Sequence, residues 1–200
     1  KVGDRVGLGG RATTNKHCRQ CLAGDHNMCP TAQPTMLGRY GGFADRVRSH
    51  WVWATRLPDA LDPAIVGPLL CGGITVFNPF VQMNIRPTAR VGVIGIGGLG
   101  HMALAFANRW GCEVTAFTSS ASKHEEAKRL GAHRVVNSRD ASALEAEAGR
   151  HDMILNTANA DLDWGVYVNA LSPRGVLHMV GVPPGPVATP VFPLLMGQRS

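Results

Sequence analysis

The chain is predicted to be an α/β protein, a doubly wound parallel sheet preceded by a smaller β-rich unit. Three observations lead there. Residues 91–94, 113–117, 134–136, 153–156 and 176–180 are apolar runs of strand length, and helical patterns at residues 123–130 and 164–171 fall between them; right-handed crossovers turn that alternation into one parallel sheet. A glycine-spaced turn, Gly95-Ile96-Gly97-Gly98-Leu99-Gly100, follows the first of these strands. Residues 1–60 read differently: they are rich in Gly, Thr and Pro, with short β-like pieces at residues 5–7, 42–47 and 51–57.

The glycine turn has the spacing of a dinucleotide pocket. Gly95 permits the tight turn out of the strand, Gly97 lets a pyrophosphate approach the backbone, and Gly100 lets the next helix pack closely on the sheet. The N–H groups and positive end of that helix then hold the phosphates. Three glycines also occur in ordinary loops; the flanks argue for the pocket. Residues 91–94 have the continuous apolar character of a buried parallel strand, and Met102, Leu104, Ala105, Phe106 and Trp110 give the following helix an apolar stripe.

The second strand bears on which dinucleotide. A NAD pocket carries an Asp or Glu on the ribose hydroxyls about 20 residues after the glycine motif. Here the strand ends in Phe117-Thr118-Ser119-Ser120-Ala121-Ser122-Lys123, with no acid at its tip. An acid would repel a 2'-phosphate, whereas hydroxyls and a Lys would bind it through charge-assisted hydrogen bonds. NADP(H) is therefore expected over NAD. A serine-rich turn that merely caps the helix starting near Lys123 is the structural alternative.

Two domains are expected, residues 1–70 and residues 71–200. Between them, Asp62-Pro63-Ala64-Ile65 supplies an N-cap with Pro at the first helical position, and Ile74, Phe77 and Val81 continue an apolar face after Gly72-Gly73. With 44% hydrophobic and 17% charged residues the composition is that of a globular protein. No run is long and apolar enough to cross a bilayer and no secretory signal opens the chain, so the expected setting is the cytoplasm, with no membrane partner. The formal charge of +6 comes from Lys and Arg scattered singly, and no nucleic-acid-binding motif accompanies them. A polyphosphate cofactor is the simpler partner. The chain opens without Met at Lys1 and closes on Gln198-Arg199-Ser200 with the sheet unfinished, as expected of an internal fragment.

Five cysteines in 200 residues suit metal or thiol chemistry better than a disulfide framework. Cys18, Cys21 and Cys29 form a C-x2-C-x7-C cluster with the spacing of a small closed zinc site, and the residue three before Cys18 is Asn15, a poor zinc ligand. A vacant site with free thiols, or a Cys18–Cys21 disulfide, remains open. Cys71, alone on an apolar helical stretch, and Cys112, before the second strand, both read locally as packed core residues. The eight histidines show no metal-ligand spacing.

Taken in order, Gly3-Asp4-Arg5-Val6-Gly7, the cysteine cluster, Gly41-Gly42-Phe43, the stretch from Pro68 to Thr75, the glycine turn, Leu130-Gly131-Ala132 and Val180-Gly181-Val182-Pro183 resemble the zinc-dependent medium-chain alcohol dehydrogenases. The resemblance covers essentially the whole chain and is strongest to the cinnamyl-alcohol-dehydrogenase-like, NADP-dependent aldehyde reductases. It implies a Rossmann domain preceded by part of a GroES-like catalytic domain, binding zinc and NADP(H). Cys71 then matches a ligand of the catalytic zinc, and Thr75 a residue beside the nicotinamide. Gly95, Gly97, Gly98, Leu99 and Gly100 match the pyrophosphate loop; Thr118, Ser119, Ser120 and Lys123 match the 2'-phosphate site; Val180, Gly181 and Val182 match a further stretch along the cofactor. Cys18, Cys21 and Cys29 match three ligands of the structural zinc, with Asn15 in place of the first.

The implied activity is reversible hydride transfer between NADP(H) and an aldehyde or primary alcohol. Zinc held partly by Cys71 would polarise the carbonyl oxygen, and the Rossmann face would present the nicotinamide. The family's remaining catalytic zinc ligands would lie before Lys1 and a sixth strand after Ser200, so the 200 residues alone are expected to be inactive, and the full-length protein a homodimer. A noncatalytic nucleotide-binding fragment is the alternative of a different class. A zinc-free quinone reductase of the same superfamily would lack both the cysteine cluster and Cys71.

Overall fold

A computed structural model describes residues 1–200, which form two compact units, Lys1–Cys71 and Gly72–Ser200. The first unit is built from short strands and turns. Strand β1 (Val6–Leu8), strand β2 (Arg11–Thr13), helix α1 (Arg19–Leu22), strand β3 (Gln33–Pro34), strand β4 (Ala54–Arg56) and helix α2 (Pro63–Val66) follow in order. β1 pairs antiparallel with β4, and β2 with β3. The strand expected at residues 42–47 does not form: that stretch is exposed and irregular, because no neighbour is available to take its backbone bonds. The first part of residues 51–57 is a 3-10 turn, Trp51–Trp53, ahead of β4. The pair β2 and β3 is absent from the sequence reading, which had no apolar alternation to find in two- and three-residue strands. Asp62 caps α2 through its carboxylate, with Pro63 at the first helical position.

The second unit opens with helix α3 (Gly72–Gln82) and continues through strand β5 (Arg90–Ile94), helix α4 (Gly98–Trp110), strand β6 (Glu113–Thr118), helix α5 (His124–Arg129) and strand β7 (Arg134–Asn137). Helix α6 (Ala141–Glu145), strand β8 (His151–Asn156), helix α7 (Trp164–Ala170), strand β9 (Leu171–Met179) and helix α8 (Val191–Gly197) complete it. The five strands form one parallel sheet in the order β7-β6-β5-β8-β9. The chain runs outward from β5 to β7, then crosses to β8 on the other side, so the switch point of the winding lies between the ends of β5 and β8. Ser200 donates its N–H to the Gly175 carbonyl at 3.2 Å and accepts from Leu177 at 2.6 Å, the bracketing pattern of a parallel neighbour on the outer edge of β9.

Both faces of the sheet are covered. On one, α3 and α4 bury Val76, Phe80, Ala103, Leu104 and Ala107 against Val91, Val93 and Val114; Phe77, Phe106 and Trp110 meet edge to face at this layer. On the other, α7 packs Trp164 and Tyr167 onto Ile94, Phe117 and Ile154. Cys112 is buried, as its place beside the second strand suggests, and burial pushes its thiol up to about 11. At the amino ends of β7 and β8, the buried Glu147 carboxylate accepts from the Arg134 guanidinium and pairs with the His151 ring at 3.0 Å. Burial works against this charge, but Arg134 and His151 outweigh it and hold Glu147 below the ordinary carboxylate range; burial draws His151 below its own ordinary value against the pull of Glu147.

Candidate functional site

At the carboxyl end of β5 the glycines of the turn meet three steric situations. Gly95 has φ +82°, a conformation that side chains rarely adopt, and its N–H donates to the Phe117 carbonyl at 3.0 Å. Gly100 sits where a Cβ would come 2.0 Å from the Gly95 carbonyl oxygen, so only glycine lets α4 start this close to the turn. A Cβ on Gly97 or Gly98 would meet nothing within 4 Å. These two face open space, as a site for an incoming phosphate requires. The first intrahelical bond runs from His101 N–H to the Gly97 carbonyl at 3.0 Å, which leaves the N–H groups of Gly98, Leu99 and Gly100 at the positive end of a thirteen-residue helix.

Thr157, which the sequence reading passed over, stitches this turn to β8. Its N–H donates to the Ile94 carbonyl at 2.9 Å, and its hydroxyl lies 2.9 Å from the Ile94 carbonyl and 2.6 Å from that of Gly95. The available signal was positional: Thr157 follows a buried strand that pairs with β5 across the switch point. Val180 and Gly181 donate to the Asn156 carbonyl at 3.0 and 2.9 Å, and Val182 to the Asn159 side chain at 2.8 Å. The stretch is thereby tied to the loop after β8, and a Cβ on Gly181 would lie 2.3 Å from the Ala158 carbonyl oxygen.

The serine turn at the tip of β6 divides its hydroxyls between structure and solvent. Thr118 is buried and its hydroxyl accepts the Ser120 N–H at 3.3 Å. Ser120 and Ser122 are 2.8 Å apart through their hydroxyls, and Ser119 is exposed. The Lys123 ammonium donates to the Ile96 carbonyl, drawing the turn and the glycine loop together. Between them lies an open cavity of about 680 Å³, lined by Gly95, Gly97, Ser119, Ser120, Lys123 and Arg139 among others. A cavity of about 910 Å³ in the first unit, around Arg39, Tyr40 and Arg46, is a gap between irregular loops and contains none of the expected site residues.

The sulfurs of Cys18, Cys21 and Cys29 lie within 4.8 Å of one another, all as free thiols. Sulfurs around a tetrahedral zinc are roughly 3.8 Å apart at a Zn–S distance of about 2.3 Å, so this donor set fits the ion with small adjustment. Burial raises the Cys29 thiol, but hydrogen bonds from the Asn15 backbone and from Thr31 prevail and bring it down to about 6. Burial raises Cys21. Asn15 is used otherwise: its side-chain oxygen accepts from the N–H groups of His17 at 3.1 Å and Cys18 at 3.0 Å, and its amide donates to Thr31 at 3.0 Å. It clamps the loop that presents the thiols. Cys71 is exposed at the end of the 3-10 segment Gly67–Leu70 rather than packed within a helix, and Thr75 is exposed on α3.

The pattern of zinc-binding dehydrogenases matches residues 98–200, and that of the alcohol dehydrogenase GroES-like domain matches residues 1–59. The chain belongs to the zinc-binding dehydrogenase family. This family member is 52% identical over 200 residues to the aldehyde reductase AdhA of Synechocystis sp., with all of the chain and 60% of that protein aligned. It is 37% identical over 211 residues to the NADP-dependent alcohol dehydrogenase C 1 of Mycolicibacterium smegmatis, again all of the chain against 60% of the relative. Among solved structures, a cinnamyl alcohol dehydrogenase of Sorghum bicolor superposes with a TM-score of 0.89 at 32% identity, over 100% of the chain and 60% of that one. The Helicobacter pylori enzyme described as CAD and complexed with NADP(H) gives 0.86 at 26% identity with the same coverage. The zinc-binding dehydrogenase chain thus spans about 60% of the length of the relatives it matches. Its fold is that of the family: a GroES-like part followed by a Rossmann sheet.

Proposed function

We propose that the chain is part of a zinc-dependent alcohol dehydrogenase or aldehyde reductase that transfers hydride between NADP(H) and an aldehyde or primary alcohol. The observation that carries this reading is the junction of two features at the switch point: open space over Gly97 and Gly98, and beside it an acid-free serine turn anchored by Lys123. The N–H groups opening α4 would bind the pyrophosphate, and Ser119, Ser120 and Lys123 the 2'-phosphate. Val180 to Val182 and Thr75 would border the nicotinamide half. Cys18, Cys21 and Cys29 would hold a structural zinc, and Cys71 would contribute one ligand to a catalytic one. When bound, the catalytic metal supplies Lewis acidity toward the carbonyl oxygen.

Three thiols gathered in one loop favour this branch over a zinc-free quinone reductase. Residues 1–70 as the catalytic-domain portion and 71–200 as the nucleotide domain belong to the same proposal, as do a cytoplasmic setting and a homodimer of the full-length protein. No single helix is long and apolar enough to cross a membrane. The test is titration of the full-length protein with NADPH and NADH, followed by assay with aromatic and aliphatic aldehydes. NADPH binding at least tenfold tighter, with aldehyde-dependent oxidation, is expected; equal affinity for the two cofactors would refute the assignment.

A further inference from the structure

From the loop that follows β7 we infer that Arg139 is a specificity-determining residue, a guanidinium that contacts the 2'-phosphate beside the serine turn. The inference deepens the NADP(H) reading and rests on it. Its first support is placement. Thr118 at the tip of β6 is in register with Asn137 at the tip of β7, and Ser138 N–H donates to the Thr118 carbonyl at 3.0 Å. The two strand ends therefore leave the sheet side by side, and Arg139 lines the same cavity as Ser119, Ser120 and Lys123.

Its second support is availability. The Arg139 backbone N–H donates to the Asn137 side chain at 3.0 Å, which closes a tight turn, while its exposed guanidinium makes no hydrogen bond or ion pair within the chain. Lys123, the other cation on this cavity, already donates to the Ile96 carbonyl. Neither neighbouring acid forms an ion pair with Arg139. Asp140 turns its carboxylate to the Ser142 hydroxyl at 2.7 Å and the Ala143 N–H at 3.2 Å as the N-cap of α6, and the Ser142 bond holds it below the ordinary range. Asp161, which also lines the cavity, accepts from Gly185 N–H at 2.9 Å. A planar fork left free in a pocket of hydroxyls suits bidentate contact with a phosphate monoester.

The experiment uses the full-length protein and two probes that differ only in the phosphate at issue, 2',5'-ADP and 5'-AMP, with affinities measured by calorimetry. Arg139→Ala is expected to weaken 2',5'-ADP by roughly ten- to hundredfold, the range for a hydrogen bond to a charged group, and to change 5'-AMP by less than about twofold. Arg139→Lys should recover part of the loss, because a point charge replaces a fork. Unchanged 2',5'-ADP affinity in Arg139→Ala, or equal losses for both probes, would overturn the role of Arg139. Wild-type protein that binds the two probes equally would overturn the NADP(H) reading beneath it, and with it this inference.

Discussion

Two glycines three residues apart in the same turn should fail in opposite ways when a methyl is added. At Gly100 the new Cβ would stand 2.0 Å from the Gly95 carbonyl oxygen and 3.0 Å from its carbon, and neither is the free end of a side chain. Relief requires moving α4 away from the turn or distorting Gly95. Overpacking of that kind costs about 3 kcal/mol at the upper end of its usual range, and the better helix propensity of Ala returns about 1 kcal/mol, for a net loss of about 2 kcal/mol. For a cooperative unit of 150–250 residues that lowers the thermal midpoint by roughly 4–8 °C, and by less in a longer one. At Gly97 the backbone is extended, with φ −108° and ψ −154°, and a Cβ would meet nothing within 4 Å. Gly97→Ala should therefore cost less than about 1 kcal/mol, the difference between Gly and Ala at an N-cap. Its damage should fall on the ligand, since the methyl projects into the space a pyrophosphate would use, and a loss of tenfold or more in NADPH affinity, about 1.4 kcal/mol, is expected. Thermal melting and calorimetric titration of the two full-length variants give both readouts. A destabilised Gly97→Ala with intact binding, or a Gly100→Ala as stable as wild type, would refute the division of labour drawn from the turn.

Other perturbations follow from the same structure. Lys123→Ala removes a donor to the Ile96 carbonyl as well as a cation from the cavity; NADPH affinity should fall by at least tenfold and NADH affinity by much less, and equal losses would count against a 2'-phosphate contact. Asn15→Cys adds a fourth thiol but removes the clamp on His17, Cys18 and Thr31. Zinc content and melting temperature should rise together in zinc, and the variant should melt below wild type in chelator; no gain in zinc by metal analysis would show that the loop takes its fourth ligand elsewhere or has abandoned the metal. Acid should destabilise the sheet in two stages. His151 is held below its ordinary 6.5 by burial, so an unfolded chain takes up protons there first and stability falls as pH drops below about 6.5; Glu147, held below 4.5, adds a second loss at lower pH when its carboxylate protonates. Equilibrium unfolding against pH checks both, and His151→Gln should flatten the upper stage.

What could be read from the residues alone is what local stereochemistry dictates. The buried strands, the crossover helices and the glycine turn follow from apolar runs of strand length and from glycine spacing in which Gly95 and Gly100 stand where a side chain would strain or clash, so the α/β architecture and the place of the glycine loop were legible before any coordinate. The absence of an acid from Thr118 to Lys123, the thiol spacing of Cys18, Cys21 and Cys29, and the Asp62-Pro63 cap are equally local. Other features depend on which chain ends lie together. Thr157 reaches the Ile94 and Gly95 carbonyls because β8 pairs with β5 across the switch point, and Arg139 lines the same cavity as the serine turn because β7 lies beside β6. Residues 42–47 carry strand-like composition, yet a strand exists only where a neighbour accepts its bonds. The Thr118 hydroxyl also accepts the Ser120 N–H, a local brace that its sequence position did not announce. Asn15 looked like a missing metal ligand, and the fold made it the clamp that holds the thiols in place. Local sequence sets the backbone angles and the burial pattern, whereas the partner of each polar group is chosen by elements distant in the chain, and that choice is made only when the sheet closes.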